Sequence, residues 1–184
     1  MAKSSSLKNK KILLTCGPTW VPIDDVRVIS NVSTGRLGFL LAEQLHKKGA
    51  KVCVLCGPST EGLRPRPKLS VIPFKYFDQL AGLLHREAGK EYDAIIHAAA
   101  VSDFQVKKPY PRKIESTAKN LSLTLVPTPK LITKLKHRAP RTKLIGFKLG
   151  SGLPESRLKD SALKVARKAK CDFIVANQFV RTLI

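Results

Sequence analysis

A polar, glycine-containing segment near the start of the chain has residue types that suit phosphate binding. It reads Asn-Val-Ser-Thr-Gly-Arg-Leu-Gly over Asn31–Gly38, just before an amphipathic stretch. Ser33 or Thr34 can cap a helix at this point, and Gly35 and Gly38 allow close backbone approach. Free N–H groups of a first helical turn and the positive end of its dipole attract phosphate. Two interpretations remain open: an anion-binding helix start, or an ordinary capped helix with Gly38 packed on a sheet.

The run His97–Phe104 (HAAAVSDF) closes an apolar, strand-like stretch with small residues and then offers one carboxylate, Asp103. Small residues at a strand end leave room for a flat ring, which favours a base or sugar pocket. Close packing of a helix over Ala98–Ala100 explains the same run. No partner carboxylate for His97 is evident in the sequence, so we expect a core histidine rather than a catalytic base.

A basic segment, Phe104–Lys119, contains two prolines and no periodicity, which predicts a mobile basic loop or lid. Lys113 lies in this segment, where it could swing over a triphosphate. There it would neutralise the charge that builds up as the α-phosphate is attacked. Because the chain contains 34 lysine and arginine residues, most such side chains are expected to be solvated surface.

Apolar β-branched runs alternate with amphipathic stretches along the chain, which predicts an α/β protein. Strands are predicted at Lys11–Cys16, Lys51–Cys56, Leu69–Phe74, Asp93–Ala99, Leu121–Val126, Lys143–Phe147 and Phe173–Ala176. Helices are predicted at Gly35–Lys48, Phe77–Ala88, Pro129–His137 and Glu155–Lys168. Several strands are apolar on both faces, so we expect a single domain with a doubly wound, mostly parallel Rossmann-like sheet. Ligands bind such sheets beyond the carboxyl ends of the strands, and the loop Trp20–Thr34 is long enough to be functional.

Two common nucleotide-binding patterns are missing from the sequence. The glycine spacing after the first strand is not G-x-G-x-x-G, and the second strand ends in Cys56-Gly57-Pro58 without an acidic residue for a ribose. A nicotinamide-dependent reductase is therefore disfavoured, and the lack of G-x-x-x-x-G-K-[ST] excludes an ordinary P-loop enzyme. The spacing Cys53-x-x-Cys56 has no second pair of ligands, so we expect structural cysteines.

The composition describes one globular domain with an extreme charge. The chain has 184 residues, of which 43% are hydrophobic and 26% charged, enough to bury a substantial core. It has four cysteines, no apolar run of membrane-spanning length and no secretory signal, so we expect a cytoplasmic protein with no membrane partner. The formal net charge of +21 predicts attraction to polyanions and to small phosphorylated ligands. Lysine and arginine are spread over the whole chain, without the aromatic pattern typical of RNA binding.

Six blocks of the sequence together resemble the phosphopantothenoylcysteine synthetase family, the ligase half of a bifunctional bacterial decarboxylase–ligase. They are Gly17–Gly38, Ala98–Phe104, Arg112–Ser116, Pro127–Ile132, Ile145–Leu149 and Phe173–Asn177. The resemblance implies a two-step ligase of coenzyme A biosynthesis. The carboxylate of 4′-phosphopantothenate attacks the α-phosphate of CTP, or of ATP in the eukaryotic branch, and pyrophosphate leaves. The cysteine amine then attacks the acyl-nucleotide to give the amide, and the nucleotide is expected to carry Mg²⁺.

The resemblance also implies roles for individual residues. Asn31 matches the asparagine that holds the acyl intermediate, Arg27 a companion that meets substrate carboxylate or phosphate, and Lys113 the lysine for the nucleotide phosphates. Residues expected to bind or border the nucleotide are Ser33, Thr34, Gly35, His97, Ala98, Ala99, Asp103, Pro129, Lys130, Leu131, Ile132 and Phe147. Lys164 and Lys168 resemble a late pair of phosphate-contacting lysines. In the family, the spacing from the second of these lysines to the next aspartate is one residue shorter than the spacing from Lys168 to Asp172. A shift of one residue rotates a helical side chain by about 100°.

Several features depart from the family. Gly150 and Glu115 stand where relatives commonly have glutamate and lysine, and the family continues beyond Asn177 with a further strand and helix. We therefore divide the chain into a basic tail, residues 1–10, and a ligase domain, residues 11–184, that lacks this strand and helix. The resemblance implies a homodimer and a separate decarboxylase polypeptide, with no flavin in this chain. The alternative is an inactive, decayed ligase fold that binds nucleic acid or another polyanion, motivated by the +21 charge.

Overall fold

Helices and strands alternate along the chain as the sequence predicts for an α/β protein. The computed structural model describes residues 6–58, 67–117 and 120–179. In chain order the elements are β1 (Lys11–Cys16), β2 (Trp20–Pro22), β3 (Val28–Ser30), α1 (Arg36–Lys47), β4 (Lys51–Cys56), β5 (Leu69–Pro73), α2 (Phe77–Ala88), β6 (Ala94–His97), β7 (Phe104–Val106), β8 (Leu125–Pro127), α3 (Ile132–Arg138), β9 (Lys143–Ser151), α4 (Glu155–Ala169) and β10 (Phe173–Phe179). None of the helices in these three ranges is long and apolar enough to cross a membrane.

Six strands form one parallel sheet in the order β10-β9-β6-β1-β4-β5. The chain runs outward from β1 through β4 and β5, and then returns to the other side of β1 at β6. Thr15 of β1 lies beside His97 of β6, and Cys16 lies beside Cys56 of β4. The strand order therefore reverses between β1 and β6, which confirms the doubly wound prediction. Such a reversal opens a ligand-binding crevice at the carboxyl ends of the strands.

Helices cover both faces of this sheet. Leu13 and Leu14 of β1 are fully buried, and they point to opposite faces because they are successive residues of a strand. Leu13 belongs to one apolar cluster with Leu80 of α2 and Leu135 of α3, whereas Leu14 belongs to another with Phe39 of α1. Burying one leucine contributes about 1.5–3 kcal/mol. The continuous apolar run of β1 therefore places this strand at the centre of the sheet.

Two glycines bring the start of α1 close to the carboxyl end of β1. A Cβ atom added at Gly38 would lie 2.2 Å from the Cβ atom of Cys16, far inside van der Waals contact. Gly35, which precedes the helix, has a φ of 75°, a value that favours glycine. The first turn of α1 can therefore lie directly against the strand end that borders the crevice.

Two antiparallel ribbons lie outside the parallel sheet. β2 and β3 pair within the segment Trp20–Thr34 that the sequence predicts as a loop. The strand predicted at Leu121–Val126 is instead β8, and it pairs antiparallel with β7 rather than with the parallel strands. Leu121 and Leu125 remain 46% and 44% exposed. A run that is not buried on both faces does not fit inside a sheet covered by helices.

The ends of several elements differ from the prediction by a few residues. β9 extends to Ser151 and β10 to Phe179 because these strands stay paired up to that point. β6 ends at His97, earlier than predicted, where the chain turns into the crevice. α3 begins at Ile132 instead of Pro129, since the prolines at 127 and 129 favour an extended chain before the helix.

The cysteines have the structural placement that the sequence predicts. All four are free thiols. Cys53 and Cys56 are three residues apart on β4, so their side chains face opposite sides of the sheet and cannot bind one metal together. Within the described ranges, no group of three or more histidine, cysteine, aspartate or glutamate side chains could hold a metal ion.

Candidate active site

A cleft of about 980 Å³ opens at the carboxyl ends of the strands next to the reversal of the strand order. The start of α1, with Ser33, Thr34 and Gly35, forms one wall, and the start of α3 forms another. Phe147 of β9 and Asn177 of β10 complete the lining on the side of the later strands. The volume falls in the range of sites for small molecules and cofactors.

The start of α1 has the features of an anion-binding helix end. Gly35 is the N-cap residue, no side chain caps the helix, and the first turn contains no acidic residue. Thr34 instead uses its Oγ1 to accept a hydrogen bond from the Arg36 N–H, 3.3 Å away. Gly35 itself supplies no side-chain cap, and the positive end of the helix dipole borders the cleft. An anionic group is therefore favoured at this position.

His97 ends β6 as a buried, neutral side chain. Its Nδ1 atom lies 2.9 Å from Thr15 Oγ1, and the same oxygen accepts the Ala99 N–H at 3.1 Å. Thr15 Oγ1 therefore links the His97 ring to the backbone that follows β6. Burial lowers the pKa of His97 to about 4. The expected core histidine is therefore present, and its ring also borders the cleft.

Asn31 connects the chain before α1 to the end of β6. Its Nδ2 atom donates a hydrogen bond to the carbonyl oxygen of Ala100 at 3.0 Å. Ala100 is held in turn, because its N–H donates to the carbonyl oxygen of Gly17 at 2.9 Å. An amide group has two N–H donors, so Asn31 retains one beyond this contact. Asn31 can therefore offer a hydrogen bond to a carbonyl oxygen of a ligand in the cleft.

Asp103 and Lys130 form an ion pair at the border of the cleft. Their side chains are 63% and 56% exposed, so the pair contributes little stability and opens easily. Thr128 braces the backbone here: its N–H donates to the Asp103 carbonyl oxygen at 2.9 Å and its hydroxyl to the Ser102 carbonyl oxygen at 2.6 Å. Among the described residues that line the cleft, Asp103 is the only carboxylate.

The carboxylate of Asp24 lies buried between β2 and β3, with no exposed side-chain surface. Its Oδ1 atom accepts the N–H groups of Val26 and Arg27 at 2.9 and 2.7 Å. Its Oδ2 atom accepts the Ile114 N–H at 3.0 Å and a hydrogen bond from Arg27 Nη1. Burial alone would raise the pKa of Asp24, but these backbone and guanidinium hydrogen bonds outweigh it and hold the pKa well below its usual range.

The basic segment that carries Lys113 is attached to neighbouring chain at several points. The Lys107 N–H donates to the Thr124 carbonyl oxygen at 2.9 Å, and the Tyr110 N–H to the Ile23 carbonyl oxygen at 2.8 Å. Arg27 Nη1 donates to the Ile114 carbonyl oxygen at 3.0 Å. The segment predicted as a mobile loop is thus held against the β2–β3 ribbon, while the side chain of Lys113 is exposed.

Comparison with known families identifies the domain. The family model of the DNA/pantothenate metabolism flavoprotein C-terminal domain matches residues 7–183. The chain belongs to this family. The resemblance found in the sequence is therefore confirmed, and the fold is that of a DNA/pantothenate metabolism flavoprotein C-terminal domain.

Individual relatives support this assignment. The chain is 38% identical over 173 residues to the coenzyme A biosynthesis bifunctional protein CoaBC of Thermococcus kodakarensis, covering 94% of this chain and 42% of that protein. The DNA/pantothenate metabolism flavoprotein from Streptococcus pneumoniae is similar in structure, with a TM-score of 0.85, 33% identity, and coverage of 92% of this chain and 82% of that one. A Cab2 variant in complex with phosphopantothenate-cysteine has a TM-score of 0.76 and 25% identity, with coverage of 94% and 73%.

Most of the residues predicted for the site lie together in the cleft of this domain. Those that line it are Asn31, Ser33, Thr34, Gly35, His97, Ala98, Ala99, Asp103, Pro129, Lys130, Leu131, Ile132, Phe147 and Lys168. Arg27, Lys113 and Lys164 do not line it. On α4 the lining residues are Val165 and Lys168, so Lys164 lies on an adjacent, exposed part of the helix.

Some cleft residues of this domain were not predicted from the sequence. Asn177 and Phe179 line the cleft because β10 continues past the predicted end of its strand. Thr128 and Ala100 each adjoin a residue that was predicted for the site, and this adjacency is the sequence signal that could have found them. Asp24, which does not line the cleft, was also missed: it contacts Ile114 across 90 positions of sequence, and no local pattern indicates such a contact.

Proposed function

We propose that this domain is a phosphopantothenate–cysteine ligase of coenzyme A biosynthesis. Membership of the family supports this, as do the relative named for coenzyme A biosynthesis and the similar structure named as a complex with phosphopantothenate-cysteine. The observation that carries the proposal is the placement of Asn31, whose amide ties the start of α1 to the small-residue end of β6. A nucleotide phosphate and an acyl group bound in the cleft would meet beside this amide.

In the first step, a carboxylate oxygen of 4′-phosphopantothenate attacks the α-phosphorus of the nucleotide and displaces pyrophosphate. The start of α1, from Ser33 to Gly35, would hold the phosphates through backbone N–H groups and the helix dipole. Lys113 would neutralise the charge that develops on the phosphates. Because it does not line the cleft, its flexible side chain would have to reach in from the basic segment.

The base and sugar would lie along the end of β6 in this scheme. Ala98 and Ala99 are half-buried there, and they leave the backbone accessible to a flat ring. The ring of His97 is uncharged at neutral pH because burial lowers its pKa to about 4, so it can approach the nucleotide without adding a charge. Phe147 and Ile132 would supply apolar contacts from the other side of the cleft.

Mg²⁺ is proposed to enter with the nucleotide. One carboxylate together with substrate phosphates is a common set of ligands for this ion, and Asp103 is the cleft carboxylate available among the described residues. When bound, the ion would neutralise charge on the phosphate oxygens. Lys130 would then release Asp103, which costs little because both side chains of the pair are largely exposed.

In the second step, the amine of cysteine attacks the acyl carbonyl carbon and the nucleoside monophosphate leaves. Negative charge develops on the carbonyl oxygen, and a hydrogen-bond donor placed there lowers the barrier. Asn31 retains one amide N–H for this purpose beyond its bond to Ala100. Arg27, predicted to bind substrate, already uses its Nη1 atom on Asp24 and Ile114, which leaves its other guanidinium nitrogens for any substrate contact.

We propose CTP as the co-substrate in preference to ATP, from the resemblance to the bacterial ligase. A homodimer is also proposed. Val26 and Val32, on and next to the β2–β3 ribbon, are 63% and 92% exposed, and a second subunit would bury such apolar side chains. The decarboxylase step would belong to another polypeptide or region, since no flavin site is proposed here. A reducing cytoplasm would keep the four free thiols reduced.

Release of pyrophosphate tests the proposed reaction. The protein is incubated with 4′-phosphopantothenate, cysteine, Mg²⁺ and either CTP or ATP. Pyrophosphate and an equal amount of amide are expected, faster with CTP. Turnover with neither nucleotide would reject the ligase, and turnover with ATP alone would reject only the choice of CTP.

The polyanion-binding alternative predicts a different behaviour. A decayed fold would bind unrelated RNA or DNA with an affinity that falls steeply with salt, and it would not bind CTP. The cleft keeps most of its predicted nucleotide-binding residues, which favours the enzyme. Titrating CTP and a random single-stranded RNA at two salt concentrations separates the two functions.

A further inference from the structure

The Asp24–Arg27 ion pair forms hydrogen bonds with both backbone groups of a single residue, Ile114. Asp24 Oδ2 accepts the Ile114 N–H at 3.0 Å, and Arg27 Nη1 donates to the Ile114 carbonyl oxygen, also at 3.0 Å. Arg27 Nη1 in addition donates to Asp24 Oδ2. Three groups therefore form one closed set of hydrogen bonds between the β2–β3 ribbon and the basic segment.

These hydrogen bonds are costly to break. The Asp24 side chain has no exposed surface, and both of its oxygens are satisfied, each by two donors. A buried carboxylate that loses a donor keeps the full cost of its desolvation, so the arrangement resists opening. The Ile114 backbone is accordingly fixed relative to β2 and β3.

Lys113 is the residue immediately before Ile114. Its own side chain is exposed and makes no hydrogen bond or ion pair with any residue in the described ranges. Three residues upstream of Lys113, the Tyr110 N–H also donates to the Ile23 carbonyl oxygen. The position of the Lys113 backbone therefore depends on the Asp24–Arg27 pair.

We propose that Asp24 is a positioning residue that acts through Ile114 to hold Lys113 within reach of the nucleotide phosphates. The proposal rests on the proposed ligase function and adds a residue to which neither the sequence motifs nor the cleft lining assigns a role. It also gives Arg27 a second task, as the cation that completes the grip on Ile114. Asp24 touches no reacting atom in this scheme, and the effect proposed here passes through Lys113.

A double-mutant cycle between Asp24 and Lys113 tests the proposal. Asp24→Asn keeps the shape of the side chain but removes the charge and places an N–H₂ group against at least one of the present donors. We expect it to lower kcat/KM for the nucleotide by roughly 10- to 100-fold, since small misplacements of a catalytic group have effects of this size. In the Lys113→Ala background the same change should cost no more than about twofold.

Asp25→Asn is the matched control. It removes the same charge one residue away, from an exposed side chain that makes no hydrogen bond or ion pair with other described residues. We expect kcat/KM within about twofold of the parent value. The proposal would be overturned if Asp24→Asn lowered kcat/KM by the same factor in the parent and in Lys113→Ala. It would also be overturned if Asp25→Asn lowered kcat/KM as much as Asp24→Asn does.

Two further measurements keep the test decisive. Amide hydrogen exchange of the peptide that contains Ile114 should accelerate in Asp24→Asn while β1 and β4 stay protected, a result that does not depend on turnover. If this variant does not fold, Ile114→Pro removes the donated N–H together with the isoleucine side chain and restricts the backbone at Lys113, and it should also lower kcat/KM. Unchanged hydrogen exchange in Asp24→Asn, or full activity in Ile114→Pro, would contradict the proposed positioning of Lys113. An inactive parent protein would instead reject the ligase function itself.

Discussion

Gly38 and Cys16 face each other across the contact between α1 and β1, with room for a hydrogen but not for a methyl group. An alanine Cβ atom at Gly38 would lie 2.2 Å from the Cys16 Cβ atom. Because Gly38 also lines the cleft, this contact sets how closely the helix start approaches the strand end. The stability of the domain and the geometry of the phosphate site are therefore linked at one residue.

Gly38→Ala should consequently destabilise the domain and weaken nucleotide binding together. Overpacking of this kind costs about 1–3 kcal/mol in the free energy of unfolding. Gly82→Ala on α2 is the matched control, since nothing lies within 4 Å of its added Cβ atom, and it should stabilise the domain by about 0.5–1 kcal/mol. Urea unfolding and a nucleotide titration measure both effects. Normal stability in Gly38→Ala would show that the contact is loose.

His97 should make the stability of the domain depend on pH. Burial lowers its pKa to about 4 from an ordinary value near 6.5, so the unfolded chain binds its proton first as the pH falls. The stability is fully present above pH 6.5 and is lost progressively down to about pH 4, by at most about 3 kcal/mol. Urea unfolding of the parent and of His97→Gln at pH 5 and pH 7 checks this. A parent loss between the two pH values no larger than that of the variant would contradict it.

Asn31→Ala should separate the two chemical steps. The variant is expected to release pyrophosphate in a burst of one per site, because the first step does not need this amide. Amide formation should fall by roughly 10²- to 10³-fold, the usual effect of removing a donor to a developing oxyanion. Rapid quenching with chromatography of the acyl-nucleotide measures both. Amide formation at the parent rate would reject the role given to Asn31.

Lys113→Ala should slow the first step, and Lys108→Ala offers a control from the same segment. Both lysines are exposed, and of the two only Lys113 adjoins Ile114, whose N–H donates to Asp24. We expect pyrophosphate release to fall roughly 10- to 100-fold in the first variant and less than about threefold in the second. Similar losses in both would point to the general positive charge of the segment.

The centre of the parallel sheet was predictable because β1 and β4 are buried on both faces and so leave a continuous apolar signal. The predicted bounds of β1, β4 and α2 match the structure residue for residue. β2, β3 and β7 are each only three residues long, which is too short for a periodicity to develop. β8 was misplaced because its pairing partner is set by tertiary contacts.

The site was predictable where one short segment carries several of its groups. Ser33, Thr34 and Gly35 are consecutive, and His97 to Ala99 follow a strong strand signal. Lys164 shows the opposite case, since residues four apart on a helix differ in whether they reach the cleft, and sequence spacing alone did not decide between it and Lys168. The contact of Asp24 with Ile114 depends on the folded chain.

Transfer of an oxygen atom tests the central claim most directly. 4′-Phosphopantothenate labelled with ¹⁸O in both carboxylate oxygens is turned over with cysteine, Mg²⁺ and CTP, and the products are analysed by mass spectrometry. An acyl-nucleotide intermediate requires one ¹⁸O atom in the phosphate of CMP and one in the amide product. Unlabelled CMP, or label in inorganic phosphate, would contradict it.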